Sequence, residues 1–132
     1  MAITDAEGSP IAVNIFSAST HETQLVASTL SSLFADFDLE ILVGDKAYDS
    51  DDLADELFCE LGITLVAPNR SNKKSRIQDG RSLRRYKRRW KVERFFSWLS
   101  SYRRIITRFE RQADNFLAMI QLACFKILAR RF

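Results

Sequence analysis

The sequence predicts an α/β fold, in which helices pack on a sheet, within one domain spanning residues 1–132. Short runs of β-branched and apolar residues alternate with longer segments whose apolar residues recur at helical spacing. Glycine or proline closes several of these segments, as at Gly44, Gly62 and Pro68. Together these observations predict the element order ββαβαβαα.

A β-hairpin and a helix are predicted first. MAIT (1–4) and IAVNIFSAS (11–19) are rich in β-branched and apolar residues, and DAEGSP (5–10) between them has the composition of a turn. Thr20 is then expected to cap a helix over residues 21–34. The apolar positions of this helix are Leu25, Val26, Thr29, Leu30 and Leu33.

Two strands flank the next predicted helix. EILVG (40–44) predicts a short buried strand, and ITLVAP (63–68) predicts another that ends at its proline. Between them, Ser50 is expected to cap a helix over residues 51–61, which Gly62 ends. The apolar stripe of this helix is expected to contain Leu53, Leu57, Phe58 and Leu61.

The last third of the chain is predicted to be a loop and two helices. Residues 69–82 are polar and basic, which is typical of a loop. One long helix is expected from about residue 83 to 101, and a second from about 112 to 130. The apolar side of the second helix is expected to contain Phe116, Met119, Ile120, Ala123, Ile127 and Leu128.

The net charge of +3 hides a strong segregation of charge along the chain. Residues 1–66 contain one base and thirteen acids, whereas residues 67–132 contain nineteen bases and four acids. A segregated basic block favours a polyanionic partner, most often a nucleic acid, and a solvated basic face is the alternative. Interleaved aromatic residues argue against a disordered tail. They are Tyr86, Trp90, Phe95, Phe96, Trp98 and Tyr102.

Other features of the sequence indicate a cytoplasmic protein with no membrane partner. No apolar run reaches the ~18 residues that a membrane span needs. The N-terminal segment MAITDAEGSP lacks the basic start and apolar region of a signal peptide. Cys59 and Cys124 show no metal-type spacing, and both are expected to be reduced residues of the core.

Asp45 is the first candidate for chemistry. It follows the predicted strand 40–44, and open α/β sheets place their ligand sites where strands end. A capping or turn role is the alternative for an aspartate at this position. Asp49, Asp51 and Asp52 resemble cap and first-turn acids and are therefore left out of the candidate site.

Glu93 is the second candidate, because it is the one acid in a strongly basic segment. Steps of three and four residues place Tyr86, Arg89 and Glu93 on one helical face. Arg89 and Glu93 could simply form an ion pair worth ~0.3–0.5 kcal/mol. The surrounding aromatic and basic residues instead favour a buried carboxylate that binds a cation.

Asp45 and Glu93 together would suit Mg²⁺ or Mn²⁺, which prefer oxygen ligands. Such ions activate a water or a 3′-hydroxyl group and stabilise the leaving oxygen in phosphoryl transfer. The basic block would hold DNA phosphates, largely without regard to base sequence. The residues expected to contact DNA are Lys73, Lys74, Arg85, Tyr86, Arg88, Arg89 and Lys91.

The segments GDKAYDSDDL, VAPNRSNKK and DGRSLRRYKRRWKVERFFSWLSSYRRIITRFER resemble the DDE transposases of bacterial insertion sequences. The most specific part is the signature Tyr-x2-Arg-x3-Glu-x6-Lys, which reads here as Tyr86, Arg89 and Glu93, with Ser100 in place of the lysine. The resemblance implies that Asp45 is the second acid of the DDE triad and Glu93 the third. It also implies that Tyr86 and Arg89 contact phosphates of the transposon end.

The resemblance implies an RNase H-like mixed sheet flanked by helices, but two features depart from the family pattern. Ser100 removes one phosphate contact. The chain also starts on what resembles the second strand, so the first, central strand with its catalytic aspartate is expected to be missing. Asp5 is expected to lie in the hairpin turn rather than to replace that ligand, and His21 is expected at a helix start or on the surface.

The chain is therefore predicted to be the C-terminal part of a DDE catalytic domain, with an acidic α/β half (1–66) and a basic helical half (67–132). The implied function is metal-dependent cleavage and transfer of DNA strands at insertion-sequence ends. The implied partners are transposon-end and target DNA, with a homo-oligomer or a complex with an N-terminal transposase part. A catalytically inactive DNA-binding remnant or regulator is the main alternative, and an RNase H-like nuclease that acts on RNA is the third.

Overall fold

The structure, a computed structural model, describes residues 1–71, 73, 80–81 and 83–130. Its architecture is mixed α/β, as the sequence predicts. The strands are β1 (Ala2–Thr4), β2 (Pro10–Val13), β3 (Ile41–Val43) and β4 (Thr64–Val66). The helices are α1 (Val26–Leu30), α2 (Asp51–Leu61), α3 (Leu83–Tyr86), α4 (Trp90–Leu99), α5 (Arg103–Ile106) and α6 (Ala113–Ala129). Two 3₁₀ turns, Glu22–Leu25 and Lys46–Tyr48, precede α1 and α2.

The strands form two separate pairs in the described ranges. β1 and β2 are an antiparallel hairpin, and β3 and β4 are parallel neighbours joined through α2. Neither pair is hydrogen-bonded to the other as one sheet. Asp45, which follows β3, therefore lies at the end of a sheet that is distinct from the hairpin.

The hairpin lies between two hydrophobic clusters and so connects the two halves of the chain. Ile11 and Ala12 of β2 belong to the cluster that α1 and α2 complete, whereas Val13 belongs to the cluster formed with α4 and α6. Phe95 of α4 is fully buried in that second cluster. This packing fixes the position of α4, and with it Glu93, relative to the hairpin.

Several helix boundaries differ from the prediction. The helix expected over 21–34 is a 3₁₀ turn followed by α1, and His21 rather than Thr20 caps the turn through its Nδ1 atom. The helix expected over about 83–101 is interrupted, because a turn separates α3 from α4. The short helix α5 was not predicted. The predicted helix over about 112–130 is confirmed as α6.

Some predicted core positions are also wrong. Leu53 and Leu57 of α2 are buried as expected, but Phe58 is 63% exposed and Leu61 is 52% exposed. The buried face of α2 is therefore narrower than the spacing of its apolar residues predicts. Cys124 is buried and Cys59 is exposed, and both are free thiols. No helix among the described residues is long and apolar enough to cross a membrane.

Gly62 is expected to contribute to stability through its backbone conformation. It ends α2 with a φ angle of 68°, and a Cβ atom added there would meet nothing within 4 Å. The variant Gly62→Ala should therefore pay only the left-handed backbone cost, and chemical denaturation should show a loss of roughly 1–2 kcal/mol in unfolding free energy. Gly80→Ala is the matched control, because Gly80 also has open space but no positive φ angle. Equal losses in the two variants would contradict this explanation.

Candidate active site

Asp45 lies directly beyond the end of β3, as predicted. Its Oδ1 atom accepts a hydrogen bond of 2.8 Å from the Ala47 backbone N–H and so caps the 3₁₀ turn Lys46–Tyr48. Asp45 therefore has the capping role that was the alternative to binding a ligand. This hydrogen bond uses only one of its two carboxylate oxygens. The half-buried side chain also lines a cavity of about 1060 Å³ between the hairpin, β3 and α4. Asp45 is therefore a turn cap whose side chain also lines this cavity.

Glu93 lies in the first turn of α4 and is more exposed than predicted. Its side chain is 57% exposed, and its Oε1 atom is 2.8 Å from the Nη2 atom of the Arg89 guanidinium group. The prediction of a buried carboxylate is wrong, because the side of α4 that packs on the core carries Phe95 and Leu99 instead. An exposed pair of this kind contributes only ~0.3–0.5 kcal/mol, so a cation could displace Arg89 from Glu93 at low cost.

The structure brings most of the predicted site residues to one cavity. Asp45 and Glu93 both line the 1060 Å³ cavity, together with four of the predicted DNA contacts: Arg85, Arg88, Arg89 and Lys91. A smaller cavity of about 230 Å³ joins Asp45 to Tyr86 and Arg89. The Arg89 guanidinium lies 5.6 Å from the centre of the Tyr86 ring, which is within the range of a cation–π interaction.

Lys91 and Arg94 have a structural role that the sequence analysis missed. The Lys91 ammonium donates a hydrogen bond to the Ala6 carbonyl, and the Arg94 guanidinium donates one of 2.8 Å to the Glu7 carbonyl. Arg94 also lies over the rings of Trp90 and Trp98, at 5.0 and 4.9 Å. These contacts attach α4 to the hairpin turn. No local sequence signal reveals them, because they join residues more than eighty positions apart.

A second missed network holds the turn that carries Asp45. Arg70 donates hydrogen bonds to the carbonyls of Lys46 and Ala47, at 3.1 and 2.6 Å. Its backbone N–H donates to Asp49 Oδ2 at 2.6 Å, and the Lys73 ammonium is 2.9 Å from Asp49 Oδ1. Asp49 is the C-cap residue of the turn Lys46–Tyr48, as expected, and its carboxylate also anchors the segment that follows β4. Asp51 and Asp52 lie in the first turn of α2, also as expected.

One of the predicted DNA contacts, Lys73, does not line this cavity. The Lys73 ammonium is paired with Asp49 and also with Asp51, whose Oδ1 atom is 2.6 Å away. A phosphate contact by Lys73 would have to compete with these carboxylates. Lys74 lies outside the described residues, so its contact with DNA stays a prediction.

The variant Asp49→Asn should destabilise the protein in a pH-dependent way. Burial opposes ionisation of Asp49, but the bonds from Arg70 and Lys73 outweigh it and lower the pKa of the carboxyl. The folded state therefore favours the carboxylate, so its stabilisation is present above the ordinary pKa and lost as pH falls through the folded-state pKa. We expect Asp49→Asn to lose about 1.5 kcal/mol near neutral pH and to approach the parent protein in acid.

Urea unfolding at several pH values measures this difference. Glu56→Gln is the matched control, since Glu56 is an exposed residue in the middle of α2. Glu56→Gln removes one negative charge, as Asp49→Asn does, but leaves the contacts of Asp49 with Arg70 and Lys73 in place. A loss for Asp49→Asn that does not change between neutral and acid pH would contradict the ionised-anchor explanation.

Tyr48 supplies a protonated phenol beside Asp45. Burial, followed by the charges of Glu22 and Asp45, raises the pKa of Tyr48 to about 12. Its hydroxyl group is therefore neutral across the physiological range. Tyr48 lines the same cavity as Asp45. The hydroxyl group is hydrogen-bonded to the Glu22 side chain, so it would have to leave that partner to bind a ligand.

The remaining predicted residues have local roles. The Oδ1 atom of Asp5 accepts backbone bonds from Glu7 and Ser9, at 2.8 and 2.7 Å, which confirms its place in the hairpin turn. His21 lies at a helix start, as expected. The Ser100 hydroxyl donates to the Phe96 carbonyl at 2.8 Å at the end of α4. None of these contacts indicates a role in the chemistry.

The carboxylates that line the cavity are of the chemical type that binds hard divalent cations. Asp45 and Glu93 supply oxygen ligands, and Mg²⁺ commonly binds through one or two carboxylates while it retains several waters. Within the described part of the chain, no group of three or more histidine, cysteine, aspartate or glutamate side chains is arranged to hold a metal.

Comparisons with known proteins identify the family of the chain. No solved structure matches the chain. A protein of Burkholderia cepacia named "Putative transposase for insertion sequence element IS402" is 30% identical over 130 residues, which cover 92% of this chain and 58% of that protein. One of Brucella ovis named "Putative transposase for insertion sequence element IS6501" is 31% identical over 98% of this chain and 95% of that protein. Residues 1–125 match the family model described as "Transposase DDE domain", so the chain belongs to the DDE transposase family of insertion sequences.

Proposed function

We propose that the chain takes part in metal-dependent cleavage and transfer of DNA strands at the ends of an insertion sequence. The observation that carries this proposal is the shared cavity of Asp45 and Glu93. These residues come from the acidic and basic halves of the chain, and four basic side chains line the same cavity. Carboxylates beside a basic surface fit a reaction on phosphodiesters.

Asp45 and Glu93 would hold Mg²⁺ or Mn²⁺. When bound, such a cation activates the attacking hydroxyl group and stabilises the leaving oxygen. In cleavage, a water oxygen forms a bond to phosphorus and the bond to the 3′ oxygen breaks, which leaves a 3′-hydroxyl group. In transfer, that hydroxyl group attacks a target phosphodiester and releases a new 3′-hydroxyl group.

The basic residues around the cavity would position the DNA. Arg85 and Arg88 are exposed and line the cavity, so both are placed to contact phosphates. Arg89 could contact a phosphate if a cation displaced it from Glu93. Lys91 is already bonded to the hairpin turn and would contribute mainly through its charge. Contacts of this kind hold DNA in register without reading its sequence.

The proposed setting is an RNase H-like domain that acts on paired DNA ends within an oligomer or with a further transposase part. The parallel pair β3–β4, the hairpin and the flanking helices are consistent with part of such a domain. The chain spans 58% of the length of the Burkholderia protein and 95% of the length of the Brucella protein.

A plasmid-nicking experiment tests the proposal. The full chain is incubated with supercoiled DNA carrying the inverted repeats of its element, with Mg²⁺, with Mn²⁺ or with a chelator. We expect nicked product with either metal and none with the chelator. A product that persists with the chelator would point to a contaminating nuclease, and no product under any condition would reject catalysis by this chain alone.

A catalytically inactive DNA-binding protein is the second candidate. It is favoured because, among the described residues, no group of three or more histidine, cysteine, aspartate or glutamate side chains is arranged to hold a metal. DNA binding without metal-dependent nicking would support it. Adding the chain to an intact transposase of the same element would then show inhibition if the two assemble together.

A further inference from the structure

The outer face of α2 is both acidic and apolar. The helix contains no lysine or arginine, and all of its acids are exposed: Asp51, Asp52, Asp55, Glu56 and Glu60. Phe58 and Leu61 are also more than half exposed, and residues three apart are neighbours on a helix surface. Leu53 and Leu57 provide the packing of α2 on the core. Phe58 and Leu61 therefore form an uncovered apolar surface among carboxylates.

The segment RRIITRFER (103–111), which begins with α5, has the opposite charge and also exposes apolar side chains. Its four arginines are all exposed: Arg103, Arg104, Arg108 and Arg111. Its one acid, Glu110, is half-buried, and the Oε1 atom of Glu110 lies 3.9 Å from Arg104 Nη1. Ile106 is 65% exposed and Phe109 is 71% exposed. Segment 103–111 therefore has an uncovered apolar surface among guanidinium groups.

These two surfaces belong to different parts of the fold. Leu53 and Leu57 of α2 pack in the hydrophobic cluster that contains Ile11 of the hairpin, whereas Ile105 of α5 packs on the cluster that contains Val13. The hairpin lies between the two clusters, so the two surfaces do not meet within one chain. A second copy of the chain, however, offers each surface a partner of opposite charge that also exposes large apolar side chains.

We propose that the outer face of α2 docks on segment 103–111 of a second copy of the chain, head to tail. The exposed apolar side chains of the two surfaces pack together, and the acids of α2 lie beside the arginines of the neighbour. Because the two surfaces differ, each copy keeps one surface of each kind available, and the assembly grows until it closes into a ring. A symmetric pair would instead bring the same surface of both copies together.

Sedimentation velocity of the full chain, freed of nucleic acid, tests self-association. It does not depend on whether the chain cuts DNA. An eleven-residue helix offers a small interface, so we expect a dissociation constant of about 1–100 µM at low salt. Salt screens exposed charges, so the association should weaken as salt rises to about 0.5 M. A chain that stays monomeric at about 300 µM in low salt, or an association that salt does not weaken, would overturn the proposal.

Two blocked variants identify the surfaces. Phe58→Lys with Leu61→Lys blocks the outer face of α2, and Ile106→Asp with Phe109→Asp blocks segment 103–111. Each variant alone should stay monomeric. An equimolar mixture of the two should form a dimer that grows no further, because one intact surface of each kind remains. A mixture that stays monomeric, or a blocked variant that associates as well as the parent chain, would contradict head-to-tail docking.

Leu122→Asp with Phe125→Asp is the matched control, because both residues are exposed on α6 to a similar degree. It adds the same charges as the variant of segment 103–111 but on a different helix, so self-association should be retained. Loss of association in this control would place the contact on α6 and reject the proposal. Circular dichroism confirms that each variant is folded. If a blocked variant is unfolded, the single substitution Phe58→Ser or Phe109→Ser replaces it in the same mixture.

Discussion

Replacing Glu93 with glutamine is expected to lower metal-dependent nicking by about 100-fold or more, while DNA affinity changes by about twofold or less. Glutamine keeps the shape of the side chain but loses the negative charge that a divalent cation requires. DNA affinity is retained because the removed charge is an acid rather than a base. The measurement compares nicking rates and equilibrium DNA binding for the same protein preparation.

The matched variants for this prediction are Asp45→Asn and Glu56→Gln. Asparagine is as good a cap as aspartate, so Asp45→Asn should keep the 3₁₀ turn folded and still lose nicking. Glu56 is an exposed acid of α2 that does not line the cavity, so Glu56→Gln should keep full activity. If Glu93→Gln nicks DNA as fast as the parent protein, Glu93 is only the helical ion-pair partner of Arg89.

Features with local signals could be predicted from the sequence. The bounds of α2 follow from the Ser50 cap and the left-handed Gly62, and both features are present in the structure. The turn role of Asp5 follows from the composition of DAEGSP in the same way. The position of Asp45 after a strand was also predictable, because short apolar runs that end in glycine mark strand ends.

Features that depend on long-range packing could not be predicted. The interruption between α3 and α4 contains neither glycine nor proline, so no local signal marks it. Helical spacing placed Arg89 and Glu93 together, but it cannot tell which side of a helix becomes covered. The core covers the side with Phe95 and leaves Glu93 exposed. The anchoring of α4 by Lys91 and Arg94 likewise depends on the hairpin turn, which lies at the other end of the chain.

DNA binding by the basic half is expected to depend steeply on salt. Four basic side chains line the cavity, and each phosphate contact contributes about −0.9 to the slope of log K against log salt. If all four contact phosphates, the association constant should fall by about 100-fold between about 50 and about 200 mM salt. Fluorescence anisotropy with a labelled duplex measures this slope. A flat response would remove the argument for a polyanionic partner.

The location of the DNA is tested by comparing two double variants of equal charge. Arg85→Gln with Arg88→Gln removes two exposed bases that line the cavity, and the slope should become about 1.8 less steep. Arg111→Gln with Arg130→Gln removes two exposed bases that do not line it, and should leave the slope nearly unchanged. Equal changes in both variants would mean that DNA responds to the total charge of the basic half. A change confined to the first variant would place the phosphates beside Asp45 and Glu93, where cleavage requires them.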